Sequence, residues 1–521
     1  MKLSRIIKNL RVQRTTDREA RHPVDPKMPE NPRSQKDPDI VSIHYRAQEV
    51  ESGGLFVAIP GLRADGHDYI NEALARGAAA VIVQKPVQKD AILIQVGNTR
   101  KALAEASVVF YGKPTENLIT IGITGTNGKT TTAFLVESIL KAAGFKAGVI
   151  GTINYHYAGK TFDNPITTPE SLDLQKILAA MLADGVTHAV MEVSSHAIDL
   201  FRIAGCQFDI GVFTNISRDH LDFHGNMHAY AACKKSFFTH ILRSGPKKDK
   251  ALAVINCEDT HGRDLSKTLG AMCVSVGRSA GSSIHAGDIR YALHGIQGKI
   301  NTPKGSFDFA SPLVGVHNLE NILCATGVGF ALGLELNTIK TGIEQVHAVP
   351  GRLECIPNDA GRFVYVDYAH TPDALEHVLT ALKSLLSNRM ICVFGCGGDR
   401  DKEKRPQMGE IAGKLCDLAI ITSDNPRSEN PAEIIDQILQ GTKKTSPRGY
   451  SPADLSSGSN TKGYVVEPDR RKAIALGVAL SRADDTVLIA GKGHETYQII
   501  GKETLQFDDR QVAKEALMKC V

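Results

Sequence analysis

The stretch that most restricts how this chain can fold is LITIGITGTNGKTT, residues 118–131. An apolar run of strand length, 118–123, breaks into a turn containing Gly125 and Gly128, continues through Lys129, Thr130 and Thr131, and then places Phe134, Leu135, Ile139 and Leu140 at helical spacing. Strand, glycine-rich turn and helix in that order belong to a layered α/β fold with a parallel sheet, because the helix has to return across the sheet. The turn is a phosphate cradle: backbone N–H groups and the positive end of the helix face an anion, Lys129 reaches the outer phosphates, and the Thr130 hydroxyl is placed for Mg²⁺. Ile123 stands where the general phosphate-loop pattern has its first glycine, so the loop is a variant of that pattern. Taken alone, such a loop leaves kinase, motor, GTPase and ligase open.

A chain of 521 residues exceeds the roughly 250–300 residues at which a single core stops growing, so two to four domains are expected. Its 42% apolar and 23% charged residues are ordinary for a soluble globular protein. With 61 basic against 57 acidic residues, the formal charge of +4 is too weak to imply nucleic-acid binding. The ten cysteines are scattered without zinc-ligand spacing, which predicts reduced thiols. The first residues lack a signal-peptide core, and no run of 18 apolar residues occurs, so a cytoplasmic protein without a membrane segment is the expectation.

Three α/β domains emerge along the chain. The first, 1–115, has strands at 55–59 and 80–83 and includes a Pro- and charge-rich stretch, 11–39, expected to be a mobile extension. The second, 116–349, has strands at 118–123, 189–193, 210–214 and 251–255, and 342–351 reads as a linker. The third, 350–521, has strands at 363–366, 390–394, 418–422 and 487–490, helices at 373–386 and 432–439, and a Ser/Gly/Lys-rich surface loop at 441–463.

The string TGTNGKTTT at 124–132 resembles the phosphate loop of the Mur ligases and the related folylpolyglutamate synthetases. MEVSSHA (191–197), FTNISRDHLDFHG (213–225), HNLEN (317–321), PGRLE (350–354), VDYAHTPDAL (366–375), GCGGDRD (395–401), DNPRSE (424–429) and GKGHE (491–495) resemble the Mur ligases that add diaminopimelate. The resemblance runs in order from about residue 40 to the C-terminus. It implies a three-domain architecture: an N-terminal UDP-binding domain, a central parallel-sheet P-loop ATPase domain, and a C-terminal Rossmann-like domain that binds the amino acid. It also implies an ATP-dependent amide ligation in peptidoglycan precursor synthesis. The D-glutamate side-chain carboxylate of a UDP-muramoyl dipeptide is phosphorylated by ATP, and an amine of meso-diaminopimelate then displaces phosphate. Both steps concentrate negative charge, so cations and fixed donors must dominate the site.

The resemblance assigns the residues as follows. Gly125, Thr126, Asn127, Gly128, Lys129, Thr130 and Thr131 hold the phosphates, Asn318 and Asn321 lie on the adenine side, Arg352 neutralises phosphate and Asp367 accepts from the ribose. Arg352 and Asp367 belong to the third domain and Lys129 to the second, so ATP is expected between domains, where closure would exclude water. Glu192, at the end of an apolar strand, projects from the carboxyl edge of a parallel sheet and matches a Mg²⁺ ligand, as does His220. Lys234 falls where the family carries a carbamate-modified lysine; an ammonium would repel Mg²⁺, whereas a carbamate offers an anionic oxygen on a long arm. Lys235 beside it is the alternative. For the amino acid, DNPR places Asp424, Asn425, Pro426 and Arg427 on one turn, with Arg427 suited to a distal carboxylate; Arg400, Gly491 and Glu495 match further contacts. For the UDP-muramoyl dipeptide, Tyr45, Arg46, Arg63, Thr167, Thr168, Ser194, Ser195 and Arg202 match, although His44-Tyr45-Arg46 replaces the usual DSR and Ile166 replaces an asparagine. A monomer without nucleic-acid or membrane partners is expected. The competing readings are a P-loop kinase, a lysine-adding Mur ligase, a folylpolyglutamate synthetase and a nucleotide-binding regulator without catalysis.

Overall fold

The computed structural model describes residues 1–16, 37–61, 64–386, 388–455 and 462–519. Two compact units form: Met1–Gly125, Leu140–Thr214 and His220–Val274 make the first, and Thr126–Ile139, Asn215–Asp219 and Ser275–Val521 the second. Among the described residues no helix is long and apolar enough to cross a membrane.

The first unit holds a five-stranded sheet in the order Val12–Thr16, Leu93–Val96, Ala80–Val83, Leu55–Val57, Ile43–His44. Leu55–Val57 and Ala80–Val83 are buried throughout, as continuous apolar runs must be when both faces of a sheet are covered. Leu3, Ile6, Leu103 and Ala106 pack with one face, and Val50, Ile70 and Ala73 with the other. Part of the expected mobile extension is instead ordered: Val12–Thr16 pairs antiparallel with Leu93–Val96. An edge strand needs only one neighbour, so a polar segment with β-branched residues can fill it. Residues 17–36 of that extension, and Arg63, lie outside the described residues.

The same unit contains a parallel layer in the order Leu252–Asn256, Ile210–Phe213, Ile119–Thr124, His188–Glu192, Ala147–Ile150, with an antiparallel pair, Tyr155–Tyr157 and Lys160–Phe162, at its edge. Ile119–Thr124 is central, and Gly122 is required in it, since a Cβ there would stand 2.7 Å from the Phe237 ring and 2.8 Å from that of Phe208.

In the second unit a seven-stranded sheet runs Glu354–Cys355, Phe363–Asp367, Thr486–Ala490, Met390–Phe394, Leu418–Ile421, Gly463–Val466, Gly449–Tyr450. It is parallel except at Glu354–Cys355. Helices Pro372–Lys383, Lys404–Leu415 and Pro431–Thr445 cover one face, and Arg470–Leu480 and Asp509–Met518 the other. Lys404–Leu415 and Pro431–Thr445 meet backbone to backbone: a Cβ on Gly441 would lie 2.6 Å from the Pro406 carbonyl carbon. Three boundaries differ from expectation. The linker begins only after the helix Leu336–Glu344, the 441–463 loop begins only after Thr445, and Gly449–Tyr450 forms an edge strand. The antiparallel strands Ile284–Ala292, Gly295–Thr302 and Gly305–Ser311 were not anticipated. A short ribbon, Tyr497–Ile500 with Glu503–Gln506, docks on the 424–427 turn: Arg427 N–H donates to Ile499 O at 3.1 Å and Gly501 N–H to Arg427 O at 2.7 Å.

Candidate functional site

Several candidates follow the carboxyl ends of parallel strands, where an open α/β sheet exposes its loops to ligand: Lys129 after Ile119–Thr124, Ser194 after His188–Glu192, Asp424 after Leu418–Ile421 and Gly491 after Thr486–Ala490. Lys129 begins the helix Lys129–Ala142 after the strand Ile119–Thr124. Its Nζ donates to Thr126 O at 2.7 Å. The turn is braced by the 215–219 segment: Thr126 N–H donates to Asn215 O at 2.8 Å, Asn127 N–H to Asn215 Oδ1 at 2.9 Å, and Ser217 N–H to Thr126 Oγ1 at 3.0 Å. Gly128, at φ 84°, leaves room for the Asn321 side chain, into which a Cβ would run.

Asn318 and Asn321 are buried on the helix Val316–Ala331. Asn321 Nδ2 donates to Asn318 Oδ1 at 3.0 Å and Asn321 Oδ1 accepts from Thr132 Oγ1 at 3.3 Å. Arg352 Nη2 reaches Thr130 Oγ1 at 3.3 Å, and its guanidinium lies 4.7 Å from the Tyr368 ring centroid. Lys129, Thr130, Thr131, Asn318, Asn321 and Arg352 therefore belong to one compact unit. Asp367, expected to accept from a ribose, uses both oxygens on main chain: Leu353 N–H at 2.6 Å and Ala369 N–H at 2.7 Å. Burial raises its pKa, and Arg352 opposes that rise. Its visible work is to tie the Arg352 segment to the strand Phe363–Asp367. Tyr368 also contacts His494 at 5.0 Å between centroids, a pairing that sequence spacing does not reveal.

In the first unit, Glu192 is buried and accepts from Thr152 N–H at 2.8 Å and Thr152 Oγ1 at 2.9 Å. Lys234 is 1% exposed, whereas Lys235 is half-buried. Lys234 Nζ donates to Gly125 O at 2.8 Å and lies 4.8 Å from the Tyr230 ring centroid. His220 has a φ of 53°, heads the short helix Leu221–His224 without capping it, and packs edge-on against His196 at 4.9 Å. Burial, with the neighbouring His220 and His224 charges adding, holds His196 down at about 4.

The dipeptide-side residues gather nearby. Thr168 Oγ1 donates to Glu192 O at 2.8 Å and lies 3.2 Å from Ser194 Oγ, and Thr167 Oγ1 lies 3.1 Å from Thr152 Oγ1. Ser195 Oγ is buried without a hydrogen bond among the described residues. Arg202 donates to Thr168 O at 3.2 Å and shares Glu170 with Arg100, at 3.7 Å and 2.8 Å respectively. Two guanidiniums on one carboxylate leave a net positive charge suited to an anionic substrate. Tyr45 OH donates to Asp173 at 2.7 Å, and the exposed Arg46 pairs with Glu49 at 2.8 Å.

The amino-acid candidates converge on three loops of the second unit. Asp424 and Asn425 are buried. Asn425 Nδ2 donates to Glu495 Oε2 at 2.9 Å. Gly491, at φ 115°, would bring a Cβ within 2.6 Å of Asp424 Oδ2. Arg427, at φ 52°, sends Nη1 to Gly398 O at 2.8 Å, and the exposed Arg400 donates to Asp399 O at 3.2 Å. Pro426 presses its carbonyl against Gly398. The interlocking pieces escaped the sequence reading. Arg405 is fully buried and binds Glu429 through both terminal nitrogens at 2.9 Å, and also Gly397 O at 3.1 Å. Arg405 holds Glu429 down to about 2. Within GKGHE nothing in the string itself marks Lys492 as buried.

Models of known families match three stretches of the chain: "Mur ligase family, catalytic domain" at 39–111, "Mur ligase middle domain" at 123–329, and "Mur ligase, glutamate ligase domain" at 351–493. Relatives named "UDP-N-acetylmuramoyl-L-alanyl-D-glutamate--2,6-diaminopimelate ligase" include one from Geobacter metallireducens, 46% identical over 91% of this chain and 93% of its own. Another, from Bacillus cereus, is 42% identical over 92% and 95%. A solved structure of a protein bearing the same name is 32% identical, covers 92% of this chain and 95% of its own, and has a TM-score of 0.65. Mycobacterium tuberculosis folylpolyglutamate synthase, solved with ADP and AMPPCP, shares the fold at 18% identity, with a TM-score of 0.58 over 75% of this chain and 92% of its own.

Proposed function

The chain belongs to the Mur ligase family, and on that premise we propose that it joins meso-diaminopimelate to the D-glutamate side-chain carboxylate of UDP-N-acetylmuramoyl-L-alanyl-D-glutamate, using ATP, in cytoplasmic peptidoglycan precursor synthesis. The carboxylate oxygen attacks the γ-phosphorus of ATP, giving an acyl phosphate and ADP. The neutral amine then attacks the acyl carbon, phosphate leaves with the C–O bond's electrons, and the amine's proton passes to solvent or base. In this reading residues 1–115 bind the UDP moiety, 116–349 the ATP and 350–521 the amino acid, and the protein acts as a monomer.

The observation that carries the reading is the meeting of Asn425, on the turn that also carries Arg427, with Glu495 at 2.9 Å. A carboxylate, an amide and a guanidinium together suit the ammonium and carboxylate of a diamino acid's far end. Lys129, Thr130 and Arg352 supply donors and positive charge for the phosphates, and Gly128 permits the close approach of the Asn321 side chain. Arg202, with Arg100 and Glu170 behind it, presents guanidinium to the dipeptide.

In the first unit Mg²⁺ would be held by Glu192, His220 and a carbamate on Lys234, and would supply charge neutralisation to the phosphates. The fit rests on Lys234: a buried lysine 2.8 Å from Gly125 O stands at the phosphate loop, where an N-carboxylated side chain would turn a cation into an oxygen donor. Incubation with the UDP-muramoyl dipeptide, ATP and Mg²⁺, offering meso-diaminopimelate or L-lysine, tests the proposal by product mass. Amide formation with equimolar ADP and phosphate is expected with diaminopimelate. Absence of amide, or equal use of lysine, refutes it.

A further inference from the structure

Lys492 lies in the 491–495 loop, is entirely buried, and has no part in the reaction as derived. Its Nζ donates to Asn425 Oδ1 at 3.1 Å and to Glu495 Oε2 at 3.1 Å, and stands 5.4 Å from the Tyr497 ring centroid. Asn425 Nδ2 closes the ring on the same Glu495 oxygen at 2.9 Å, and Ile499 N–H adds a second donor to Asn425 Oδ1 at 3.0 Å. Burying an ammonium is costly unless charge and hydrogen bonds compensate it. The strand that precedes it, Thr486–Ala490, is apolar and wholly buried, so its packing supplies no reason for a cation at the next turn. The reason lies in what the ammonium holds.

The bonds are unevenly distributed. Among the described residues, both donors to Glu495 fall on Oε2, which leaves Oε1 for a ligand ammonium. Asn425 Oδ1 is taken twice, while its Nδ2 spends one N–H on Glu495, which leaves the other for a ligand carboxylate. Two readers on separate loops, 70 residues apart in sequence, are thereby locked at one spacing by a lysine that is itself entirely buried.

We propose that Lys492 is a positioning residue for amino-acid selection. By pinning Glu495 Oε2 and Asn425 Oδ1, it fixes Glu495 Oε1 and the second Asn425 N–H at the separation that reads an ammonium and a carboxylate on one carbon. Discrimination of a diamino diacid from a diamino monoacid thus depends on a side chain that touches neither. The inference rests on the function proposed above.

Steady-state kinetics of the full chain with Lys492→Met and Lys492→Gln tests it. Lys492→Met keeps the length and loses charge and donors; Lys492→Gln keeps a donor. For Lys492→Met the KM for meso-diaminopimelate should rise about tenfold to a hundredfold, the effect of losing a hydrogen bond to a charged group. The KM values for ATP and for the UDP-muramoyl dipeptide should stay put, kcat at saturating amino acid should change far less than KM, and the preference for diaminopimelate over L-lysine should shrink. Lys492→Gln should recover part of the loss. In a double-mutant cycle Lys492→Met and Asn425→Ala should be non-additive. An unchanged KM for diaminopimelate overturns the proposal. So does a parallel rise of all three KM values with a falling melting temperature, or failure of both variants to fold, since either makes Lys492 a folding residue. Failure of the underlying function would appear in the unsubstituted protein, which would then make no amide with diaminopimelate.

Discussion

Gly441→Ala should destabilise the sheet of the second unit although alanine is the better helix former. On the helix Pro431–Thr445 the added Cβ would sit 2.6 Å from the Pro406 carbonyl carbon and 2.9 Å from its Cα, where ordinary contact begins at 3.4 Å. The obstacle is main chain, the Pro406 carbonyl oxygen nearest of all, so no rotamer change relieves it, and the helix Lys404–Leu415 must move away by more than an ångström. Overpacking of this kind costs about 1–3 kcal/mol. The rigid obstacle places Gly441→Ala at the upper end, and the helix propensity of alanine returns about 1 kcal/mol. The net loss is about 2 kcal/mol, which for a domain of this size lowers Tm by roughly 4–8 °C. The displaced helix carries Arg405, which ties Gly397 to Glu429, so the KM for diaminopimelate should rise with it. Scanning calorimetry and steady-state kinetics read both effects. A melting temperature equal to or above that of the unsubstituted protein would refute the backbone contact on which this reasoning stands.

Other substitutions read other parts of the molecule. Lys234→Arg keeps the positive charge but cannot form a carbamate: ¹³CO₂ should give a carbamate NMR signal in the unsubstituted protein that is missing from the variant, with ligase activity reduced at least about a hundredfold. Arg427→Lys loses the planar fork while keeping charge, and should raise the KM for diaminopimelate about tenfold without altering that for ATP; equal KM values would remove Arg427 from the site. Burial, with His377 adding, holds His317 down at about 4 against an ordinary 6.5. The folded state therefore keeps it neutral, the unfolded chain takes up a proton as pH falls through 6.5, and stability present above 6.5 drains away down to pH 4. His317→Gln should flatten that part of the dependence of the urea midpoint on pH, and an unchanged slope would refute the assignment.

The strand 390–394 was legible to the residue and the other strands named from the sequence to within two residues, because short apolar runs between turn signals have few other uses; Leu93–Val96, Ala147–Ile150 and Gly463–Val466 escaped that reading. Strands 284–311 were not legible, since their faces mix residues such as His285, Asp288, Arg290 and Asp308, and without strict alternation the period of two is lost. Motif strings placed Asn425, Arg427 and Glu495 as candidates, but not what holds them. Arg405 and Lys492 are the two residue types expected at the surface, and only the fold reveals that partners from distant loops bury them. The Lys234/Lys235 ambiguity had the same origin: a helix turns consecutive residues about 100° apart, and sequence alone does not say which one faces inward.

The ribbon Tyr497–Gln506 grips the main chain of Arg427 on both sides, so the bearing of that guanidinium is set by a hairpin outside the pocket. Pairing in a ribbon obeys a strict two-residue rhythm; lengthening its tip at Gly501 by a single residue would exchange its faces and carry the arginine's anchor with it. If Arg427 reads the amino acid as proposed, retailoring which amine is accepted becomes a matter of hairpin length as much as of the side chains proposed to meet the substrate.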